Sequence, residues 1–213
     1  MFLAKLMPQR VLSLQARKPS GLIGRFLMAN IFKKGNKDLN SFVEETLKLQ
    51  PSHYVLEVGF GPGELINRMA SIITQGHIEG IDFSDVMLNE ATRNNKKHIA
   101  ANRVRIQKGD CGKLNFTDES FDRVCSVNTI YFWNPPNVYL MEIYRVIKSG
   151  GQLVLGLRDK EQISRLPIDK SIFNTYTLNE VVELLLSIGF SNVRSLEKEG
   201  TPFTSYCVVA TKA

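Results

Sequence analysis

The chain has 213 residues, enough for one domain with a full hydrophobic core, and no apolar run in it is long enough to span a membrane. Three widely spaced cysteines (Cys111, Cys125 and Cys207) argue against a disulfide framework and favour a reducing, cytoplasmic compartment, while the three histidines lack metal-ligand spacing. The net charge of +6 comes from the N-terminus, so it does not by itself indicate a basic binding domain.

The first element is a basic segment. Residues 1–37 contain eight Lys or Arg and no acidic residue. The rest of the chain contains the other 19 of the 27 basic residues and all 21 acidic ones. Lys5 and Pro8 interrupt its apolar start and no small-residue cleavage site follows, which argues against a secretory signal. We expect a basic amphipathic helix lying on a mildly acidic body. A transit peptide, a contact for nucleic acid or an anionic membrane, and a cap over the substrate remain alternatives.

After this segment the pattern predicts alternating helices and strands, which is typical of a doubly wound α/β sheet. Helices are predicted at 21–33, 38–49, 64–73, 85–98, 136–147 and 177–188. Strands are predicted at 53–58, 77–81, 103–108, 121–127, 152–157, 193–197 and 205–211. A capping box from Thr177 to Glu180 and a stop at Gly189 mark the ends of the last helix.

The first strand leads into a glycine-rich turn, and the second ends in a carboxylate. Residues 55–63 are Val-Leu-Glu-Val-Gly-Phe-Gly-Pro-Gly, and residues 78–84 are Ile-Glu-Gly-Ile-Asp-Phe-Ser. Small residues let a ligand approach the backbone closely, and the carboxylate of Asp82 is placed to accept hydrogen bonds from a ribose diol. The pattern therefore indicates a cofactor that contains a nucleoside.

Two classes of cofactor compete for this turn. In the dinucleotide fingerprint a third glycine packs the helix on the sheet, but the corresponding position here is Glu64. A carboxylate in the first helical turn would repel a pyrophosphate, and Glu57 adds a second negative charge just before the turn. These acids favour a cofactor with a cationic amino-acid tail over NAD.

Residues 55–63 resemble motif I of class I S-adenosylmethionine-dependent methyltransferases, and residues 80–84 resemble their acidic post-I motif. Segments 109–111, 120–124 and 142–151 continue a resemblance to the type 11, UbiE-like subgroup of small-molecule methyltransferases, which spans residue 20 to the C-terminus. The resemblance implies a Rossmann-like, seven-stranded sheet of order 3-2-1-4-5-7-6, with the last strand antiparallel and helices on both faces. It also implies S-adenosyl-L-methionine as cofactor and S-adenosyl-L-homocysteine as product.

The resemblance places cofactor-binding residues beyond the strand ends. They are Glu57, Gly59, Phe60, Gly61, Gly63, Asp82, Phe83, Met87, Asp110, Cys111 and Asn128. Glu57 would reach the cofactor ammonium; the alternative is a structural carboxylate that caps backbone amides. Asp82 would hold the ribose. Phe83 and Met87 would sandwich the adenine, unless they are ordinary core, and Asp110 and the Cys111 amide would bind its edge. No neighbour in sequence would activate Cys111 as a thiol.

The exit of the fourth strand carries Tyr131, Phe132 and Trp133, which we expect to bind the acceptor. An aromatic face beside a sulfonium offers cation–π attraction, although Phe132 and Trp133 could instead anchor the loop. Tyr131 is the candidate catalytic residue, in the role of orienting the acceptor. The Asn-Pro-Pro run at 134–136 lies too late for the motif of amino-methyltransferases, and it predicts a helix start instead.

We therefore expect a methyltransferase domain at 38–213 and an N-terminal helical lid at 1–37. The segment 158–176 is too short for a large substrate cap, so the lid and the aromatic loop would select a small-molecule acceptor. One alternative is a nucleic-acid or protein methyltransferase that uses the basic N-terminus, although the sequence disfavours nucleic acid. Another is a non-catalytic, cofactor-binding scaffold.

Overall fold

The computed structural model describes residues 7–213, so Lys5 and the rest of the first six residues lie outside it. The strands are β1 (Tyr54–Val58), β2 (His77–Asp82), β3 (Val104–Lys108), β4 (Phe121–Val127), β5 (Ile147–Leu157), β6 (Phe190–Lys198) and β7 (Ser205–Lys212). They form one seven-stranded sheet in the order β3-β2-β1-β4-β5-β7-β6. Strands β1 to β5 pair in parallel, and β7 runs antiparallel to both β5 and β6. The expected strand order and the antiparallel last strand are confirmed.

Helices cover both faces of the sheet. They are α1 (Gln9–Arg17), a π-helical turn (Ile23–Met28), α2 (Ala29–Gly35), α3 (Lys37–Leu47), α4 (Glu64–Ile72), α5 (Asp85–Asn94), α6 (Lys96–Ala100), α7 (Pro136–Val146), α8 (Lys160–Ser164) and α9 (Leu178–Ile188). Successive strand residues point to opposite faces. Val55 accordingly packs in the core under α3 and α4, while Leu56 packs in the core under α7 and α9. Within residues 7–213, none of these helices is both long and apolar enough to cross a bilayer.

Helix ends follow the sequence signals where those signals are local. The Thr177 hydroxyl accepts from the Glu180 amide and the Glu180 carboxylate accepts from the Thr177 amide, so the capping box is present. Gly189 ends α9 with a φ of 111°. Pro136 occupies the first turn of α7, as predicted from its preset backbone angle.

Three predicted elements differ from the structure. The helix predicted at 85–98 breaks at Asn95, whose buried side-chain amide donates to the carbonyl oxygens of Gly63 and Ala91. The predicted fifth strand begins earlier, at Ile147, with a register shift opposite β4. The helix predicted at 21–33 starts as a π-helical turn. There Gly24 packs so closely on Pro19 that a Cβ would lie 2.7 Å from a backbone carbon.

Candidate cofactor and acceptor site

A cavity of about 690 Å³ lies beyond the carboxyl ends of the parallel strands. Most of the predicted site residues line it: Glu57, Gly59, Phe60, Gly61, Asp82, Phe83, Met87, Asp110, Cys111, Asn128, Tyr131, Phe132 and Trp133. Gly63 is the predicted site residue that does not. The fold therefore brings residues from the ends of four strands into one space, where ligands of such sheets are expected.

The floor of the cavity is the glycine turn after β1. Gly59, Gly61 and Gly63 have φ values of 71°, 51° and 76°, a region that favours glycine. A Cβ on Gly59 would collide with the Thr129 side chain, whereas one on Gly61 would make only an ordinary contact, 3.7 Å from the Phe32 ring. The turn is thus tight against the protein at Gly59 and open toward the cavity at Gly61.

Gly63 has a packing role in this structure. It precedes α4, and a Cβ there would lie 2.6 Å from the Asn95 amide nitrogen and 2.8 Å from the Ala91 Cβ. The glycine therefore lets the start of α4 pack against the end of α5. The next residue, Glu64, lines the cavity and forms a salt bridge with Lys33 of α2 at 2.9 Å.

Glu57, at the end of β1, is a buried acid with an unsatisfied atom. The residue lines the cavity and is 2% exposed, yet Oε2 has no hydrogen-bond partner among the described residues. Burial raises the pKa of this carboxyl well above its usual value, and the charge of Asp82 raises the pKa further. The Ile66 amide opposes the shift by hydrogen bonding. An unpaired buried carboxylate is unfavourable, so the site fits a ligand with a cationic donor.

Asp82 joins the end of β2 to the glycine turn. Its Oδ2 accepts from the Gly61 amide at 3.0 Å and its Oδ1 accepts from the Ser84 amide at 2.9 Å. Burial raises the pKa of this carboxyl to about 6, although these backbone donors lower it. An ionised carboxylate has about four acceptor sites, so Asp82 retains acceptor capacity for a ribose hydroxyl beside these backbone donors. The predicted role is therefore compatible with the structural one.

The predicted adenine pocket lies between α5 and the loop after β3. Met87 is buried in the first turn of α5, where its amide donates to Ser84 Oγ at 3.3 Å. The ring of Phe83 lies beneath the Lys18 ammonium, 5.6 Å from its centre. Asp110 Oδ1 accepts from the Gly112 amide at 2.9 Å, which orders that loop. Burial strongly raises the pKa of the Cys111 thiol, which makes a reactive thiolate unfavourable there.

Tyr131 links the exits of β4 and β5. Its ring is 1% exposed, its hydroxyl accepts from the Arg158 amide at 2.6 Å, and it donates to either Asn128 Oδ1 or the Arg158 carbonyl. Burial raises the pKa of this phenol, so it remains protonated at neutral pH. Because the hydroxyl is engaged by protein groups, Tyr131 is suited to fixing the loop. A direct contact with the acceptor stays a prediction.

The other two aromatic residues both line the cavity and hold the loop in place. Trp133 stacks on Tyr139 with ring centres 5.8 Å apart and planes 5° from parallel. Phe132 packs edge-on against Phe173 at 4.7 Å. The two alternatives from the sequence, a pocket wall and a loop anchor, are therefore satisfied by the same side chains.

The roof of the cavity comes from the segment predicted as a lid and from residues 163–173, which the sequence analysis did not assign to the site. It is formed by Leu12, Ala16, Ile31, Phe32, Ile163, Leu166, Pro167, Ile168 and Phe173, which are apolar. The run at 163–168 is rich in apolar residues, and this is the signal that could have identified it as a pocket wall. The interpretation of 158–176 as merely too short for a cap overlooked it.

Hydrogen bonds hold the N-terminal part of the roof to the strand ends. The Ser84 hydroxyl donates to the Pro19 carbonyl at 2.6 Å, and the Asn128 amide donates to Asn36 Oδ1 at 3.0 Å. The Arg158 guanidinium donates to the Gly35 carbonyl at 2.9 Å. Residues 19–36 are thereby held against the ends of β2, β4 and β5.

Known proteins resemble this chain in sequence and in fold. Residues 56–155 match a family model described as a methyltransferase domain. The chain is 28% identical over 177 residues to an uncharacterized methyltransferase, YdaC, of Bacillus subtilis, covering 83% of this chain and 93% of that protein. It is 38% identical over 141 residues to the demethylmenaquinone methyltransferase of Listeria welshimeri, covering 62% of this chain and only 56% of that enzyme.

A solved structure of a SAM-dependent methyltransferase from Aquifex aeolicus has the same fold. Its TM-score is 0.72 at 22% identity, over 87% of this chain and 98% of that one. The matched domain spans the glycine turn and the acidic end of β2, on which the resemblance first rested, and it also includes the aromatic loop. These similarities identify the chain as an S-adenosylmethionine-dependent methyltransferase whose matched domain resembles the type 11, UbiE-like subgroup of class I.

Proposed function

We propose that this enzyme transfers a methyl group from S-adenosylmethionine to a small, apolar acceptor. The cofactor half of the proposal rests on the buried carboxylate of Glu57, a residue of the cavity wall whose Oε2 has no hydrogen-bond partner among the described residues. A cationic ammonium would satisfy it, and Asp82, across the glycine turn, would accept from the ribose hydroxyls. NAD has no ammonium group that could donate a hydrogen bond to Glu57, and its pyrophosphate would lie near Glu64.

The residues of this chain would hold the cofactor along the strand ends. Glu57 would bind the ammonium, Asp82 the ribose, and Phe83 with Met87 the faces of the adenine. When bound, S-adenosylmethionine supplies a methyl group that is already activated by its sulfonium. The protein therefore needs only to orient the acceptor and exclude water, which the apolar roof is suited to do.

The character of the roof supports an apolar acceptor. Its aliphatic and aromatic side chains enclose the space beyond Asn128, at the exit of β4. The charged lining groups include the predicted cofactor residues Glu57, Asp82 and Asp110 and the exposed Arg17 and Lys18. A molecule with a flat apolar body would gain most from Phe132, Trp133 and Phe173.

We propose that residues 1–37 act as a lid, of which 7–37 are described. Its hydrogen bonds to the ends of β2, β4 and β5 support this role, since ligands entering the cavity would have to displace part of it. The assignment to the cytoplasm stays a prediction from the reduced cysteines.

Calorimetry with S-adenosylmethionine, S-adenosylhomocysteine and NAD tests the cofactor half of the proposal. We expect binding of the first two and none of NAD, after which radiolabelled methyl transfer to a panel of apolar and polar acceptors tests the other half. Binding of NAD alone would refute the proposal. Cofactor binding without transfer to any acceptor in the panel would favour a non-catalytic scaffold.

A further inference from the structure

The exposed apolar side chains of the described residues are concentrated near the N-terminus. Of nine large hydrophobic residues that are exposed in residues 7–213, five lie between positions 11 and 26. We define the outer face by these five: Val11, Leu14, Leu22, Ile23 and Phe26. Leu22 and Phe26 are 74% and 60% exposed. Isolated exposed apolar residues are ordinary, but a cluster of this kind marks an interaction surface.

The outer face is the opposite side of the segment that covers the cavity. In α1, Leu12 and Ala16 line the cavity and Ser13 is buried, while Val11 and Leu14 point away and are exposed. The inward side chains already satisfy the packing needs of α1 on the body. Val11 and Leu14 are therefore not needed for that packing, and α1 has a second apolar side that faces away from the body.

The segment that carries the outer face is also rich in positive charge. Residues 7–37 contain seven basic residues and no acid, and all seven are exposed: Arg10, Arg17, Lys18, Arg25, Lys33, Lys34 and Lys37. Arg25 and Lys33 pair with Glu90 and Glu64 on the body. Lys34 and Lys37 make no salt bridge within residues 7–213, so their charge is available to a partner.

We propose that the outer face docks on an anionic phospholipid bilayer. Bulky aliphatic and aromatic side chains on a segment with exposed lysine and arginine match the acyl boundary and the negative headgroups of such a surface. Nucleic acid would use the basic residues but would gain little from Leu22 and Ile23, whose aliphatic side chains neither stack nor hydrogen-bond. Charge and apolar character together therefore point to lipid.

Docking would place the lid directly on the membrane. An acceptor dissolved in the bilayer could then reach the cavity past α1 and the exposed Arg17 and Lys18 at its rim. This delivery step rests on the proposed function, because it requires an apolar acceptor. The docking itself does not depend on the reaction, and it can be measured without any acceptor.

Vesicle co-sedimentation of the full chain tests the proposal. We expect binding to vesicles of equal parts phosphatidylcholine and phosphatidylglycerol, weakening as salt is raised, and little binding to phosphatidylcholine alone. Leu22→Ser with Phe26→Ser should weaken vesicle binding by at least about tenfold, since both side chains would otherwise be buried in lipid. The matched control is Met141→Ser with Leu186→Ser, which removes apolar side chains of similar exposure, 59% and 51%, from α7 and α9.

Neither double variant alters a residue that lines the cavity, so S-adenosylhomocysteine affinity should be unchanged in both and reports correct folding. Docking is refuted if the protein ignores anionic vesicles, if it binds neutral vesicles equally well, or if the control variant loses as much binding. Retention by RNA or duplex DNA without vesicle binding would also overturn it and would assign the basic residues to nucleic acid. Failure of cofactor binding with intact docking would instead refute the proposed function.

Discussion

Glu57→Gln should change stability and cofactor affinity in opposite directions. The substitution keeps the shape of the side chain and the acceptor for the Ile66 amide, but it removes the charge. Because burial and Asp82 raise the folded-state pKa of Glu57, the folded protein binds a proton more tightly than the unfolded chain does. Wild-type stability should therefore fall as pH rises above the ordinary glutamate pKa, and glutamine does not incur this loss.

The size of both effects can be bounded. One unit of pKa elevation corresponds to about 1.4 kcal/mol, which would raise the Tm of a chain of this size by roughly 3–6 °C. We expect Glu57→Gln to be more stable than wild type at pH 8, with a smaller difference at pH 5. Loss of a hydrogen bond to a charged group should weaken S-adenosylhomocysteine by about 1.5–3 kcal/mol, or roughly 10- to 150-fold.

Thermal melts at the two pH values and calorimetry measure these effects. Methylthioadenosine, which lacks the amino-acid part, should bind wild type and Glu57→Gln equally, since Glu57 would not touch it. Glu79→Gln is the matched control, because Glu79 is a partly buried strand acid that pairs with His77 and Gln107 outside the cavity. A destabilised Glu57→Gln protein, or an equal loss of affinity for both ligands, would refute the reasoning and make Glu57 a structural carboxylate.

Three other predictions concern the turn, the ribose site and the lid. Because burial raises the pKa of Asp82 to about 6, the affinity for S-adenosylhomocysteine should fall as the pH drops through 6. The Asp82→Ala variant should bind S-adenosylhomocysteine about 1.5–3 kcal/mol more weakly than wild type at pH 8, and its affinity should depend less on pH. A pH-independent wild-type dissociation constant, measured by calorimetry, would contradict this role. Gly63→Ala should lower Tm more than Gly150→Ala, since both have positive φ but only Gly63 meets close neighbours, at 2.6 Å and 2.8 Å; equal melting temperatures would remove the packing role. Deletion of residues 1–37 should abolish methyl transfer while circular dichroism shows the sheet intact, and normal turnover would exclude the lid.

The floor of the site could be predicted from the sequence because its signals are local. A buried strand, a glycine turn and the acid at the end of the next strand lie within residues 55–82, and parallel pairing of β1 with β2 brings them together. The role of Gly63 could not be predicted this way. It depends on Ala91 and Asn95, about one helix further along, and the same contacts break the helix predicted at 85–98.

The roof was harder to predict because its contacts are distant in sequence. Ser13 Oγ accepts from the Asp169 amide across 156 positions, and Arg158 donates to Gly35 across 123. No periodicity in either segment encodes such a pairing. A stretch rich in apolar residues, such as 163–168, indicates that these side chains are buried but not what they pack against. In the structure, this stretch and the N-terminal segment both cover the cavity.

The two buried acids argue for function over structure when they are considered together. Asp82 accepts hydrogen bonds from two backbone amides, and this stabilisation of the glycine turn would by itself explain a carboxylate at that position. No comparable structural role explains Glu57, because its Oε2 has no hydrogen-bond partner among residues 7–213 and the charge of Asp82 raises the pKa of the Glu57 carboxyl further. A chain selected only for stability would replace it with an apolar residue or glutamine, because a buried, unpaired carboxylate beside a like charge is unfavourable. Its presence at the cavity wall is therefore best explained by a cationic ligand whose binding offsets that unfavourable energy.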